Sequence, residues 1–272
     1  MSKTLFVPNG VYPSSRIRAE QVAEQIGAKV GNCLNGCANV VFVKCWPSNV
    51  LDIENVNLFI DIIDSDVHLD VISHMPQVKV IAISDEAKDY ISRRITNFIH
   101  VIPEHHCNFE NALRHRTEIK VVGYVGSRHC LDLDEIELRT KLARHGLEFK
   151  SLHVDTLDVT RKDIVDFYKS IDIQISFRCP HVIQGMPPEL KNALKLCNAG
   201  SFKIPTVGYP EFCWEAFKGG YVEAKTLDAV VDGCLELKVN SSLYGLMANA
   251  MYRNAQDYHI DKIAKLYKEV LL

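Results

Sequence analysis

Short apolar runs, rich in β-branched residues, recur along the chain with amphipathic stretches between them. In the first part they are TLFVP (4–8), NVVFVK (39–44), NLFIDII (57–63), VKVIAIS (78–84) and FIHVIP (98–103). SSRIRAEQVAEQIG (14–27) puts Ile17, Val22, Ala23 and Ile26 on one helical face. DEAKDYISRR (85–94) follows Ser84, whose hydroxyl suits a helix N-cap. Strands apolar throughout, alternating with amphipathic helices, predict a parallel sheet covered on both sides.

After a polar stretch near 108–117 the pattern restarts. Strands are expected at EIKVVGYVG (118–126), LEFKSLHV (147–154), IDIQISF (171–177), IPTVG (204–208) and YVEA (221–224). LDEIELRTKLARHG and TLDAVVDGCLELK read as intervening helices. In the second, Thr226 is the N-cap and Leu227, Val230, Val231, Cys234 and Leu235 form an apolar stripe. A long helical tail closes the chain. Two such series predict two Rossmann-like domains with a cleft between them, ligands binding beyond the carboxyl ends of the strands.

The 272 residues suit one or two domains, and 47% hydrophobic with 24% charged residues suits a chain that buries a real core. A net charge of −3 gives no global pull toward nucleic acid or anionic lipid and leaves a local basic cleft open. The N-terminal apolar run is too short for a secretory signal, and no run approaches a membrane span. Nine scattered cysteines read as reduced thiols, which places the expectation in the cytoplasm. Cys33 and Cys37 have no second matching pair, so no zinc site is expected.

Candidate chemistry lies at strand and helix ends. In KVVGYVGSRH (120–129) a strand runs into Gly126, Ser127 and Arg128, where backbone amides and a guanidinium could receive phosphate oxygens; an ordinary tight turn reads the same way. Lys191 and Lys195, four apart, would share one helical face and could meet a diphosphate, unless they are a solvated basic face. Asn198, near the end of that helix, could bond a sugar or ribose hydroxyl. Ser14, Ser15 and Arg16 feed a helix N-terminus and could bind hydroxyls or anions; a plain cap is the alternative for Ser14. Among histidines, His68, His105 and His106 stand where a base could take a proton from an acceptor hydroxyl, with His129 and His181 behind them.

The segment 178–217 resembles the donor-binding half of GT-B type glycosyltransferases, especially the retaining nucleotide-sugar group. NAGSFKIPTVGYPE looks like that family's helix, G-x-P-x-V strand and following glutamate loop, and VVGYVGS like its first strand and glycine loop. Fainter likeness runs through YPSSRIRAEQVAEQI, NLFIDIIDSDVH and HVIPEHHCNFEN. The resemblance implies an α/β fold of two Rossmann-like domains facing across a cleft: 1–115 on the acceptor side, 116–254 for the donor, and a C-terminal helix, about 255–272, crossing back to the first. The family's glutamate pair is absent. Leu190, beside Glu189, stands at the first position and Asn198 at the second, which puts donor recognition through Asn198, Glu211 and Glu215 against loss of activity. Asp64-Ser65-Asp66 matches the D-x-D metal motif of the other large glycosyltransferase architecture, against which these residues line the cleft or cap a helix.

The expected activity is therefore transfer of a sugar from a nucleoside diphosphate sugar, UDP among the candidate nucleotides, to a hydroxyl acceptor. Retention without metal or cofactor follows from the resemblance. Gly126, Ser127, Arg128, Lys191 and Lys195 would hold the diphosphate, and Asn198, Glu211 and Glu215 would contact sugar or ribose. His68, His106, Arg128 and Lys195 are the catalytic candidates; Ser14, Ser15 and Arg16 would face the acceptor. That acceptor is a glycan, a lipid-linked sugar, a small molecule or a hydroxylated DNA base. Competing expectations are a catalytically inactive partner-binding subunit and a nicotinamide oxidoreductase, the latter weakened by the absence of G-x-G-x-x-G.

Overall fold

The computed structural model describes residues 4–10, 13–47, 55–113, 116–155, 158–178 and 186–271. The chain divides into two compact units. Unit 1 is Met1–His105 with Met186–Asn192 and Ile260–Leu272; unit 2 is His106–Gly185 with Ala193–His259. The chain thus changes units at 105/106 and 259/260, where the sequence reading set 115/116 and 254/255.

Unit 1 carries a six-stranded, wholly parallel sheet: β1 (Thr4–Pro8), β2 (Lys29–Val30), β3 (Asn39–Val43), β4 (Asn57–Ile62), β5 (Lys79–Ala82) and β6 (Ile99–Val101), in the order β2-β1-β3-β4-β5-β6. The two-residue β2, both of its residues exposed, has no apolar run to announce it. The helix α1 runs through Pro13–Ser15, a π-type turn Arg16–Gln21 and Val22–Ile26, burying Val22, Ala23 and Ile26. The short α2 (Leu69–Ser73) precedes β5. In α3 (Asp85–Ser92), Ser84 caps as expected, its hydroxyl accepting from the Ala87 amide at 3.1 Å. Val40, Phe42, Leu58, Ile60, Val80 and Ile91 anchor the core, and Leu190 is buried among them.

Unit 2 carries a five-stranded parallel sheet: β7 (Val121–Gly126), β8 (Glu148–His153), β9 (Ile173–Ser176), β10 (Thr206–Gly208) and β11 (Tyr221–Glu223), in the order β11-β10-β9-β7-β8. Its helices are α4 (Glu135–Ala143), α5 (Arg161–Ser170), α6 (Leu194–Ser201), α7 (Leu227–Val239) and α8 (Ser241–Ala255). Asp134, Thr160 and Thr226 cap three of them with their own side chains. The closing tail is not one helix. A 3₁₀ turn at Gln256–Tyr258 and an extended His259 separate α8 from α9 (Ile260–Leu271), which packs in unit 1 with Ile260, Ile263, Ala264 and Tyr267 buried. Both sheets reverse strand order once: between β1 and β3 in unit 1, and between β7 and β9 in unit 2. Parallel α/β sheets open a binding crevice at that point, outside the carboxyl ends of the strands.

The eight cysteines among the described residues are free thiols. No helix among the described residues is long and apolar enough to cross a membrane.

Candidate functional site

In unit 2 the reversal point lies between the carboxyl ends of β7 and β9. β7 delivers Gly126 and Ser127 there, and β9 delivers Ser176 and, two residues on, Arg178. The φ of Gly126 is 155°, and a Cβ on it would lie 2.7 Å from the Tyr124 hydroxyl and 3.1 Å from Lys195 Cε. Glycine at 126 therefore lets the β7 turn and the first turn of α6 come together. The Tyr124 hydroxyl donates to the Ser127 carbonyl at 2.7 Å and closes the turn.

Lys195 is a buried cation in this region. Its Nζ is buried with no hydrogen-bond partner among the described residues, and it lies 4.9 Å from the centre of the Tyr124 ring. Burial pulls its pKa down to about 8; the charge of Arg178 pulls the same way, and Glu211 opposes. A buried ammonium without a hydrogen-bond acceptor is costly, and a ring face replaces only part of its hydration. The Ser176 Oγ at the end of β9 is likewise buried without a hydrogen-bond partner among the described residues. Arg178 pairs with Glu211 through two nitrogens: Nε donates to Oε1 at 3.2 Å, and Nη2 meets Oε2. This fork ties Arg178 to Glu211 in the loop between β10 and the 3₁₀ turn at Phe212–Phe217.

The remaining sequence candidates fall in several places. Gly126 and Lys195 come together with Tyr124, and Glu211 pairs with Arg178, whose charge acts on Lys195. The Ser127 hydroxyl and the Arg128 amide are engaged by Asp155, whose Oδ2 accepts from the amide at 2.6 Å; these bonds, with the amide bond first, hold the Asp155 carboxylate below its usual range. The Arg128 side chain is exposed. Lys191 does not share a helical face with Lys195. Pro187 and Pro188 set a 3₁₀ turn at Pro188–Leu190, Lys191 follows in extended backbone, and α6 starts only at Leu194. Lys191 is buried and belongs to unit 1. The Asn198 Oδ1 accepts from the Cys107 amide at 2.7 Å, which ties the start of unit 2 to α6 and turns this side chain inward. Glu215 is exposed and pairs with Lys218.

His106 is fully buried, with its Nδ1 accepting from the Asn108 amide at 3.2 Å and its ring edge-on to His259. His105 is buried too and bonds the Ile17 carbonyl at 3.0 Å. His181 lies outside the described residues. In unit 1, Ser14 and Arg16 are partly exposed within α1, whereas Ser15 is buried with its hydroxyl donating to the Asn9 carbonyl at 2.9 Å. Burial pulls the His68 imidazole below its ordinary pKa, a hydrogen bond to the Lys44 backbone opposing. The D-x-D carboxylates hold protein cations. Asp64 pairs with Lys44 at 2.7 Å, and Asp66 binds the Tyr90 hydroxyl at 2.7 Å and Arg94. No cluster of three potential metal ligands occurs among the described residues.

Tyr124, Arg178 and Asp155 escaped the sequence reading. For Arg178 a signal existed, since it directly follows an apolar strand whose carboxyl end is the expected ligand edge. Nothing local marks Asp155 or Tyr124, because their roles rest on partners across the turn.

No protein-family model and no curated protein sequence matches the chain. Solved structures do. A glycosyltransferase from Rickettsia africae ESF-5 superposes with a TM-score of 0.64 at 11% identity, over 98% of this chain and 97% of that one. Anabaena Alr3699/HepE in complex with UDP-glucose gives 0.62 at 14% identity, over 98% of both chains. TarM gives 0.58 at 12% identity over 86% of this chain, which spans 54% of TarM. At such identities the likeness concerns fold. These neighbours are GT-B glycosyltransferases, and the chain has their two-unit α/β architecture, the GT-B fold.

Proposed function

We propose that the protein is a glycosyltransferase that moves a sugar from a nucleoside diphosphate sugar to a hydroxyl acceptor, with retention and without a metal. The observation that carries the reading is the buried ammonium of Lys195, lacking a hydrogen-bond acceptor beside a glycine turn at the reversal point of the unit 2 sheet. A diphosphate supplies the missing acceptor. As the sugar leaves, negative charge grows on the β-phosphate. A preorganised ammonium with little access to water, and a guanidinium held by Glu211, stabilise that charge more than they stabilise the bound donor. The UDP-glucose complex of the Anabaena neighbour supports this substrate class.

In this reading Gly126, Lys195 and Arg178 serve the diphosphate, with Arg178 taking the part first assigned to Lys191. Ser127 and the Arg128 amide reach a ligand only if Asp155 releases them. Glu211 orients Arg178, and His68 is the candidate base in unit 1. The test is calorimetric titration with UDP, GDP and TDP. Binding of one nucleotide, weakened tenfold or more in Lys195→Met, is expected. No binding of any by a folded chain overturns the proposal.

A second reading, an inactive partner-binding subunit, draws on two observations: Leu190 is a core residue of unit 1, and Asn198 faces inward toward Cys107. Nucleotide binding without nucleoside diphosphate release from any sugar donor would favour it.

A further inference from the structure

We infer that Gln174, on the central strand of the unit 2 sheet, is a positioning residue: it fixes the first turn of α6 and thereby holds the Lys195 ammonium at the carboxyl edge of that sheet. That the ammonium meets a diphosphate there rests on the glycosyltransferase reading; the positioning itself does not.

β9 is the middle strand of five, and a parallel strand so placed is covered on both faces and reads as apolar throughout. Ile173, Ile175 and Phe177 follow that rule on one face, in the core shared with α4 and α7. Residue 174 points to the opposite face and breaks the rule with a fully buried primary amide. Such an amide is tolerated only with its hydrogen bonds made, and here they are. Its Oε1 accepts from the Tyr168 hydroxyl of α5 at 2.7 Å. Its Nε2 donates to the Thr206 hydroxyl of β10 and to the Lys195 carbonyl of α6, both at 3.1 Å. A carbonyl can only accept, which fixes the amide nitrogen on the Lys195 side. The Tyr168 ring in turn stacks on Phe202, the residue that ends α6, with centroids 5.4 Å apart.

α6 needs such an anchor. The helices α3, α4, α5, α7 and α8 each begin on a side chain that accepts from a first-turn amide: Ser84, Asp134, Thr160, Thr226 and Asn240. α6 begins at Ala193, which has no side-chain oxygen to offer. Within a helix the carbonyl of residue 195 accepts the amide four positions on with one lone pair, and the other is left for Gln174. The anchor therefore grips, from inside the sheet, the backbone of the residue whose ammonium stands at the site. On the far side the Lys195 stem passes the Gly126 turn, where an added Cβ would lie 3.1 Å from Cε. The groups acting on the ammonium come from three elements. They are the Tyr124 ring of β7 at 4.9 Å, Cys130 in the turn after β7, and Arg178 and Glu211 beyond β9 and β10. A tilt of the first turn of α6 changes every one of these separations and opens the ammonium to water.

The test follows the Lys195 ammonium itself, by NMR pH titration of the full chain isotopically labelled at lysine Cε, the signal being assigned by its loss in Lys195→Met. Gln174→Met keeps the side-chain length and removes the bond to the carbonyl. With the turn released and the ammonium hydrated, its half-titration point, about 8 in the wild type, should rise by about one unit or more toward the ordinary 10.5. UDP affinity, measured by calorimetry, should fall about tenfold as preorganisation is lost. Thr226→Ala, at the cap of α7, is the control for a loss of stability away from α6, and both readouts should keep their wild-type values in it. If Gln174→Met does not fold, its combination with Tyr168→Phe, which removes the orphaned hydroxyl as well, decides by the same signals. A wild-type Lys195 titration in the folded Gln174 variant, or an equal rise in Thr226→Ala, overturns the inference. So does unchanged UDP affinity in that variant when the wild type binds UDP. A raised titration point in a protein that binds no nucleotide would overturn the glycosyltransferase reading and leave the positioning role standing.

Discussion

Lys195 and Glu104 share an unusual position: each is an ionisable group whose charge the fold disfavours, and each has an atom that lacks a hydrogen-bond partner among the described residues. Their consequences differ in sign. Lys195 has a folded pKa of about 8, below its ordinary 10.5, so the unfolded chain binds the extra proton between those values. Its contribution therefore favours folding as pH rises through that window. Diphosphate binding reverses the preference by favouring the ammonium, so binding takes up a proton above pH 8. We expect UDP affinity to fall about tenfold per pH unit above that point and to flatten in Lys195→Met, as measured by titration calorimetry in buffers of different ionisation heat. Glu104 has a folded pKa of about 8 against an ordinary 4.5, so the folded chain holds the proton. Its contribution is fully present below about pH 4.5 and is lost as pH rises toward 8. Urea melts of Glu104→Gln should lose that part of the pH dependence, and an unchanged profile would contradict the burial argument. Lys195 and Gly126 were legible in the sequence as a cation on a helix and a glycine after a strand. Glu104 was not, since its condition depends on Arg18, Lys44, Asp61 and Asp64 arriving from elsewhere in the chain.

At the scale of elements, α6 links sequence pattern to site most directly. It carries Lys195 on its first turn and packs its other face on α8 at Gly200, where an added Cβ would lie 2.5 Å from the Met251 carbonyl oxygen. A backbone atom cannot move aside as a side chain can. Gly200→Val should cost about 3 kcal/mol or more and shift Lys195 with the helix, seen as a lower urea midpoint together with weaker UDP binding. The cap of α7 is a milder case. Thr226 accepts from the Ala229 amide at 3.1 Å, and Thr226→Ala should cost about 1 kcal/mol without touching UDP affinity. Strands and caps were readable because apolar runs and cap residues act over a few neighbouring positions. The α8–α9 break was not, because Gln256–His259 carries no proline or glycine and the chain turns there to reach unit 1.

At the scale of the whole molecule, unit 1 is completed by residues distant in sequence. Buried Arg18 donates to both Asp61 oxygens at 2.8 Å, to the buried Ile102 carbonyl and to the partly covered Pro103 carbonyl, and Tyr267 from α9 donates to Asp61 Oδ2 at 2.9 Å. A buried ion pair is stable only while its remaining lone pairs are satisfied. Tyr267→Phe leaves shape intact and removes one such bond, so a loss of about 1.5–3 kcal/mol is expected in chemical denaturation. A loss below about 0.5 kcal/mol would show that α9 is held by apolar packing alone. Periodicity, caps and strand-end chemistry along 272 residues were enough to predict two parallel α/β series, because those signals are local. Pairing is not. Asp64 with Lys44, Asp155 with the 127–128 turn, Asn198 with Cys107 and the docking of Leu190 in the unit 1 core all join segments far apart in sequence. Such partnerships, and with them the choice of which charged groups stay available to a ligand, exist only once the chain has folded.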